Sequence, residues 1–548
     1  MSLALWIIWP LAYSPVLFSP VWGAKWAITL LVAAATVPLL VRQRGRAGLA
    51  AISFVTAATF STILSNNPAM SAVGLWNWGT GLVLVYAGAG AWALGRALTD
   101  GESERVSRAL LASIGAVAAV AVLQMVIPLT AYGLPLVFGR STGLQGNPVY
   151  LSGIVLAGLA LAAHRISSHG LRAAGLVILF GSAISVSQGR VSLLVACLTP
   201  LLVWKSGGFR RAVWMTGALG VGVGMGLLLT LASPLPESPG GRSDAAAGTV
   251  AVSSYTAREG LGPRAEVWLY SRHALGDRPI LGSGPGRFWA ATLPYRTLAS
   301  TRYAPTGYYA DPHNFVVEYG VTTGLLGLLL LGAWLYFAGL QARGRFAWVA
   351  GALLVFHLLQ PQNAVVTPLA LFALGAAAPR RSEPPAKGIL GRRALSSIAG
   401  VTALCLFASF LGGQERLQRA YLNFDFAAAD LSYLLLKPWP EVADRRGIVE
   451  ASPLDAGRSP DWDRVRFYYR AATRRDPQDP RPWLRLGSFE LGRRRPRAAA
   501  VAYRRVLAIE PWSLAGSRGM LRVALAEDKP EDARRWSNRI ERITRSGP

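Results

Sequence analysis

The sequence predicts an all-α protein: a polytopic transmembrane helical bundle of about 12–13 spans, followed by a C-terminal α-helical repeat module. Three observations carry this. The 548 residues are 52% hydrophobic and only 16% charged, against roughly 25% in soluble domains. Apolar runs of membrane-spanning length recur through the first three quarters of the chain. Basic residues gather in every second loop between those runs.

The apolar runs fall near 4–20, 24–41, 49–64, 74–94, 107–128, 148–163, 171–186, 190–204, 212–233, 320–340, 346–358, 363–378 and 394–411. With the N-terminus inside, the even-numbered runs end inside. Their following loops are Arg42 to Arg46, Arg96 to Arg108, His164 to Arg172, Lys205 to Arg211, Arg343 to Arg345 and Arg380 to Arg393. All six are basic, whereas Asn66–Ser71 and Leu359–Gln362 on the other side carry no Lys or Arg. This is the positive-inside pattern, and it places the long polar loop 234–312, Arg140, Arg190 and everything after Leu411 outside. The expected division is a membrane domain 1–411, a linker 412–460 and a helical module 461–548. The first run lacks a basic n-region and is read as a retained helix rather than a cleaved signal, interrupted at Pro10 and Pro15.

The net charge of +27 goes mainly to orientation and to surfaces near anionic lipid, and no nucleic-acid motif accompanies it. Cys197 and Cys405 both sit in apolar runs and say nothing of redox compartment. Within the outer loop, Glu237–Gly248 is Ser/Gly/Ala-rich and reads as mobile. Trp268, Tyr270, Trp289, Tyr295 and Tyr303 mark an ordered remainder.

Beyond Gln414 the chain turns polar and helical. Tyr469 to Pro477 recurs as Tyr503 to Pro511 at an offset of 34, the period of tetratricopeptide repeats, and Pro482-Trp483-Leu484 fits the first helix of such a unit. A third, shorter unit runs through Asp532–Ile543. The module either binds a protein partner or packs as a plain helical domain.

The chemistry centres on Asp311-Pro312-His313-Asn314, at the entrance to the run that begins near residue 320. An unperturbed imidazole titrates near 6.5 and suits proton removal at neutral pH. Pro312 restricts the chain around His313, and Asp311 and Glu318 lie close by in sequence. Arg190, in Ser187-Gln-Gly-Arg, breaks the charge rule of the outer side, either by snorkelling to the interface or by holding phosphate with its planar fork. Arg264 and Arg140 pose the same choice. Gly282–Gly286 precedes no clear helix and reads as a turn that aims the aromatic segment after it, rather than as a phosphate loop. Within residues 1–411 no His, Cys or Asp-x-Asp grouping suggests a metal, and no cofactor is expected.

At these residues the chain resembles the O-antigen ligase and polymerase family of bacterial surface-polysaccharide enzymes. The likeness rests on Arg140 to Pro148, Ser187 to Arg190, Arg264 to Trp268 with Leu281 to Phe288, and Pro312-His-Asn314 with Gly324 and Gly327, and it spans about residues 50–380. Val317 stands where a leucine is common, and Ser-Gln-Gly-Arg is a looser turn than the usual Ser-Arg-Gly. The resemblance implies a lipid-linked glycosyltransferase fold in the bacterial inner membrane. It implies metal-independent, inverting transfer of a glycan from undecaprenyl pyrophosphate to an acceptor hydroxyl on the extracytoplasmic face. His313 would be the general base, Arg190, Arg264 and Arg140 the pyrophosphate ligands, and Asp311, Asn314 and Glu318 supporting residues. Absence of an Asp-x-Asp motif from residues 1–411 fits a donor whose phosphates ride on a lipid and are met by arginines. The acceptor stays open between lipid A core, a second lipid-linked glycan and a protein. The rival readings are a transporter or flippase of lipid-linked glycans and a non-catalytic membrane scaffold, although few charges fall within the runs.

Overall fold

The structure is a computed structural model that describes residues 2–132, 134, 136–137, 139–169, 173–233, 261–303, 309–379, 390–452 and 459–545. Among these residues the chain is helix and turn, with one isolated bridge between Val137 and Arg140. Glu237–Gly248, the rest of 234–260, residues 304–308 and the basic stretch 380–389 lie outside the described residues.

Each of the thirteen apolar runs contains a helix. Among the described residues seven helices are long and apolar enough to cross a bilayer, including Gly45–Ile63, Asp100–Leu123, Phe209–Ala232 and Phe315–Gly339, and shorter apolar helices fill the gaps between them. Proline and glycine decide where the helices depart from the runs. The second run breaks at Thr36, where Pro38 begins a short helix, Val37–Leu40. The eighth splits into Arg190–Ala196 and Thr199–Gly207 around Leu198 and Pro200. The tenth starts earlier than its hydropathy suggests, at Phe315, and unwinds at Gly324, whose φ is +68°.

The core is built by pairing distant helices: Gly45–Ile63 with Phe315–Gly339, Leu82–Arg96 with Val366–Ala376, and Ala174–Val186 with Phe209–Ala232. Small residues let backbones touch. A Cβ on Gly375 would lie 2.1 Å from Trp92 O, so no larger residue fits between those two helices. Trp6, Trp9, Trp92 and Trp334 are fully buried, so the Ser2–Leu11 helix is part of the bundle core.

The basic loops meet at one end. Arg96 donates to Gln341, the Arg343 amide donates to Ala377 O, and Glu104 pairs with Arg108, Arg165 and Arg345. Arg46 lies over the Phe337 ring. These contacts join four of the six basic loops, those holding Arg46, Arg96 to Arg108, Arg165 and Arg343 to Arg345.

The stretch expected to be a linker, 412–460, is helical over most of its length: Leu390–Asn423 runs into it, and Phe426–Leu435 and Pro440–Ala451 follow. Beyond it come Trp462–Arg475, Pro480–Gly492, Pro496–Ile509, Leu514–Ala526 and Pro530–Thr544, each packed on its neighbours in sequence. This module folds back onto the segment 261–303. Arg287, fully buried, forks onto both oxygens of Asp476 at 2.6 and 3.0 Å. Arg296, also buried, pairs with Glu510. Asp476 and Glu510 are the equivalent acids of the 34-residue offset. Trp439 also donates to Gly74 O, and Asn67 to Arg475 O.

Candidate active site

His313 sits where coil becomes helix. Asn314 caps the Phe315–Gly339 helix, its Oδ1 accepting from the amides of Val316 and Val317 at 2.9 and 3.2 Å. Asn314 is therefore structural support. His313 itself has φ +53°, a left-handed conformation that costs energy in a residue with a Cβ and is held only by its surroundings. Those surroundings are specific. Asp311 Oδ1 accepts from the His313 amide at 2.7 Å and lies 3.0 Å from the ring Nδ1. Trp268 Nε1 donates to Pro312 O at 2.8 Å, and the Tyr309 ring meets the imidazole edge-on. Asp311 is 3% exposed, while the imidazole keeps 22% of its side-chain surface open. The Asp311 carboxylate beside Nδ1, and Asp311 O at 3.4 Å from it, both favour a proton on Nδ1, the tautomer in which Nε2 can accept one.

Glu318, one turn into the helix, is buried, and both its Oε2 and the Asp311 Oδ2 find no hydrogen-bond partner among the described residues. Glu318 and Tyr150 each lie within electrostatic reach of Asp311. Tyr150 lies near the start of the apolar run 148–163, and no motif marks it.

The arginines arrive in two groups. Arg264 and Trp268 are one turn apart on Leu261–Asp277, so they share a face. Arg264 Nη1 donates to Leu359 O at 2.9 Å while Trp268 holds Pro312. Arg140 and Arg190 share the turn between Ala174–Val186 and Arg190–Ala196. Arg140 Nε donates to Ser187 O at 2.9 Å and Nη2 to Gln188 O at 3.4 Å. Gln188 takes φ +52°, which brings Arg190 to the first position of its helix. Behind Arg140, Gln124 gathers the loop: its Oε1 accepts from Ser141 Oγ and from the amides of Thr142 and Gly143. The Pro148–His169 helix borders both regions: its Ser152 accepts a hydrogen bond from Ser192, two residues past Arg190, and its Tyr150 lies within electrostatic reach of Asp311.

Gly282–Gly286 is a turn, but it precedes a short helix, Phe288–Thr292, that the sequence did not disclose. Its amides are spent on protein. Ser283 N and Gly284 N donate to Val321 O and Thr322 O, and Leu325 N and Leu326 N donate to Pro279 O and Ile280 O. The outer loop thus lies along the unwound point at Gly324, where a Cβ would stand 2.3 Å from Ile280 O. That pairing leaves these amides no capacity for phosphate.

No curated protein matches the chain. Residues 173–332 match a family model described as O-antigen ligase, a narrower span than the motif resemblance suggested and one that leaves Arg140 outside. The match makes glycosyl transfer in surface-polysaccharide assembly the class of activity, carried out by a multi-pass membrane protein. Arg190, Arg264 and His313 accordingly all lie within the residues that match the O-antigen ligase family model.

Proposed function

We propose that the protein transfers a glycan from undecaprenyl pyrophosphate to an acceptor hydroxyl on the extracytoplasmic face, with His313 as general base. The observation that carries this is the contact between Asp311 Oδ1 and His313 Nδ1 at 3.0 Å, in a histidine held in a strained conformation at a helix entrance. Nε2 removes the acceptor proton, and the acceptor oxygen bonds to the anomeric carbon of the donor. The bond from that carbon to phosphate breaks, its electron pair leaving with undecaprenyl pyrophosphate, and attack opposite the leaving group inverts the centre. The proton on Nε2 makes the ring an imidazolium, which the Asp311 carboxylate stabilises.

Arg190 and Arg264 meet the charge that grows on the pyrophosphate. Arg140 acts through another group, since its hydrogen bonds to Ser187 and Gln188 set the turn that presents Arg190. Glu318 stands behind Asp311 and shapes its field. The reaction needs no metal in this scheme. His313→Ala is expected to abolish transfer from lipid-linked donor in reconstituted membranes, by about 10²-fold or more, while the protein still inserts. Transfer near the wild-type rate removes the histidine from the chemistry.

A further inference from the structure

The transfer scheme leaves the helical module unused, yet the module rests on the stretch that surrounds the histidine. Three of its helices meet that stretch at their C-terminal ends. Asp476 and Glu510, the residues just past Trp462–Arg475 and Pro496–Ile509, are 0% and 6% exposed and pair with Arg287 and Arg296. Near the end of Pro530–Thr544, Arg542 O accepts from Arg302 Nη2 at 3.1 Å. All three arginines belong to residues 287–302.

That stretch is poor at holding itself. Its helices, Phe288–Thr292 and Leu298–Tyr303, have five and six residues, too few to be stable alone. Their positions are set by what they touch, and the module supplies two buried carboxylates for that purpose.

The same stretch is a few contacts from His313. Phe288, next to Arg287, packs in a buried cluster with Val267, Tyr270 and Val321, and Val317, Trp268 and Tyr309 border that cluster. Val317 and Val321 lie on the Phe315–Gly339 helix, which begins two residues after His313. Trp268 holds Pro312 O, and the Tyr309 ring stands edge-on to the imidazole with centroids 6.1 Å apart. Tyr270 lies within electrostatic reach of Glu510, Arg296 and Tyr309. The left-handed conformation of His313 persists only while its surroundings impose it.

Resting on the transfer scheme above, we propose that Asp476 and Glu510 are positioning residues for transfer. By holding Arg287 and Arg296 they fix the cluster around Phe288 and Tyr270, which keeps Trp268 and Tyr309 on the histidine and the imidazole aimed at the acceptor. Loss of either acid strands a buried guanidinium, which draws its stretch of chain toward water. A shift of about 1 Å at a reacting group costs about 10²-fold in rate.

The test uses the full chain in nanodiscs, with the lipid-linked glycan and the envelope lipids of a strain that lacks the gene as substrates. Turnover is measured beside a second signal, the rate at which diethyl pyrocarbonate modifies His313, read by peptide mass spectrometry with His164 as internal control. Asp476→Ala and Glu510→Ala are each expected to lower turnover by about 10- to 100-fold. In both, His313 is expected to be modified several-fold faster in a single phase, with His164 unchanged. A misfolded fraction would give two phases instead. Asp476→Ala paired with Arg287→Met is expected to recover most of the turnover and the slow modification, since no charge is then stranded. Unchanged turnover, an unchanged rate at His313, two-phase modification in the single variants, or no recovery by the pair overturns the inference and leaves the transfer scheme standing. No transfer by the wild type overturns the scheme, and the modification rates then decide alone whether the acids hold the histidine.

Discussion

The two ends of the bundle manage charge in opposite ways. At one end Glu104 collects Arg108, Arg165 and Arg345, all with side chains about a third or more exposed. At the other, Arg287 and Arg296 are sealed between the outer loop and the repeat module, each against one acid. An exposed pair contributes little, because water screens it and long side chains lose freedom to hold it. A sealed pair gains little net stability over apolar packing, but breaking it strands a charge in a dry interface. The first arrangement suits orientation in the membrane, where the sum of charge counts. The second suits recognition, where each arginine must find its own partner.

The contrast gives a ranked set of outcomes. Asp476→Ala leaves the buried Arg287 guanidinium without a counter-charge, with Gln478 Oε1 still 2.8 Å from Nη2, and is expected to cost about 3–5 kcal/mol of module docking, read as a lower thermal midpoint and faster proteolysis of the module. Pairing it with Arg287→Met restores most of the loss. If the single variant behaves like wild type, the interface is wetter than the burial indicates.

Asp479 gives an intermediate effect. Burial pushes its carboxyl up to about 6 from an ordinary 3.8, against the pull of Arg481. The folded module holds this proton more tightly than the unfolded chain does, so its contribution is full below about pH 4 and fades as pH rises through 6. Against Asp479→Asn, the wild-type thermal midpoint is expected to drop progressively over that window and to run parallel above it. A difference that stays constant from pH 4 to 7 counts against the buried carboxyl.

Glu104→Gln is expected to have the smallest effect, at most about 1 kcal/mol, and to vanish in molar salt. A larger or salt-insensitive loss would make the two ends alike.

The bundle was legible because hydropathy and basic loops report the membrane directly, and every apolar run holds a helix. Breaks were less visible. Gly324 lies in an apolar stretch, and only the partner segment at Ile280 explains why it unwinds. The His313 entrance announced itself through Pro312 and Asn314. Its carboxylate partner is two residues away in the sequence, and so it was found together with the histidine. Tyr150 was invisible for the opposite reason. It approaches Asp311 from a helix remote in sequence, and single-chain patterning carries no record of such pairings. Arg140 was recognised as special, but its spent donors appear only in three dimensions. The stretch 412–460 misled because its polarity resembles a linker, whereas Trp439 and Arg446 are buried within helical packing.

The spacing of the docked acids has one more consequence. Asp476 and Glu510 sit one repeat apart, and the arginines they seize are nine residues apart in the outer loop. The module therefore behaves as a gauge with two prongs, and a helical array of another pitch would seat one prong and miss the other. Exchange of such tails between related enzymes should succeed only when tail and loop travel together as a matched set.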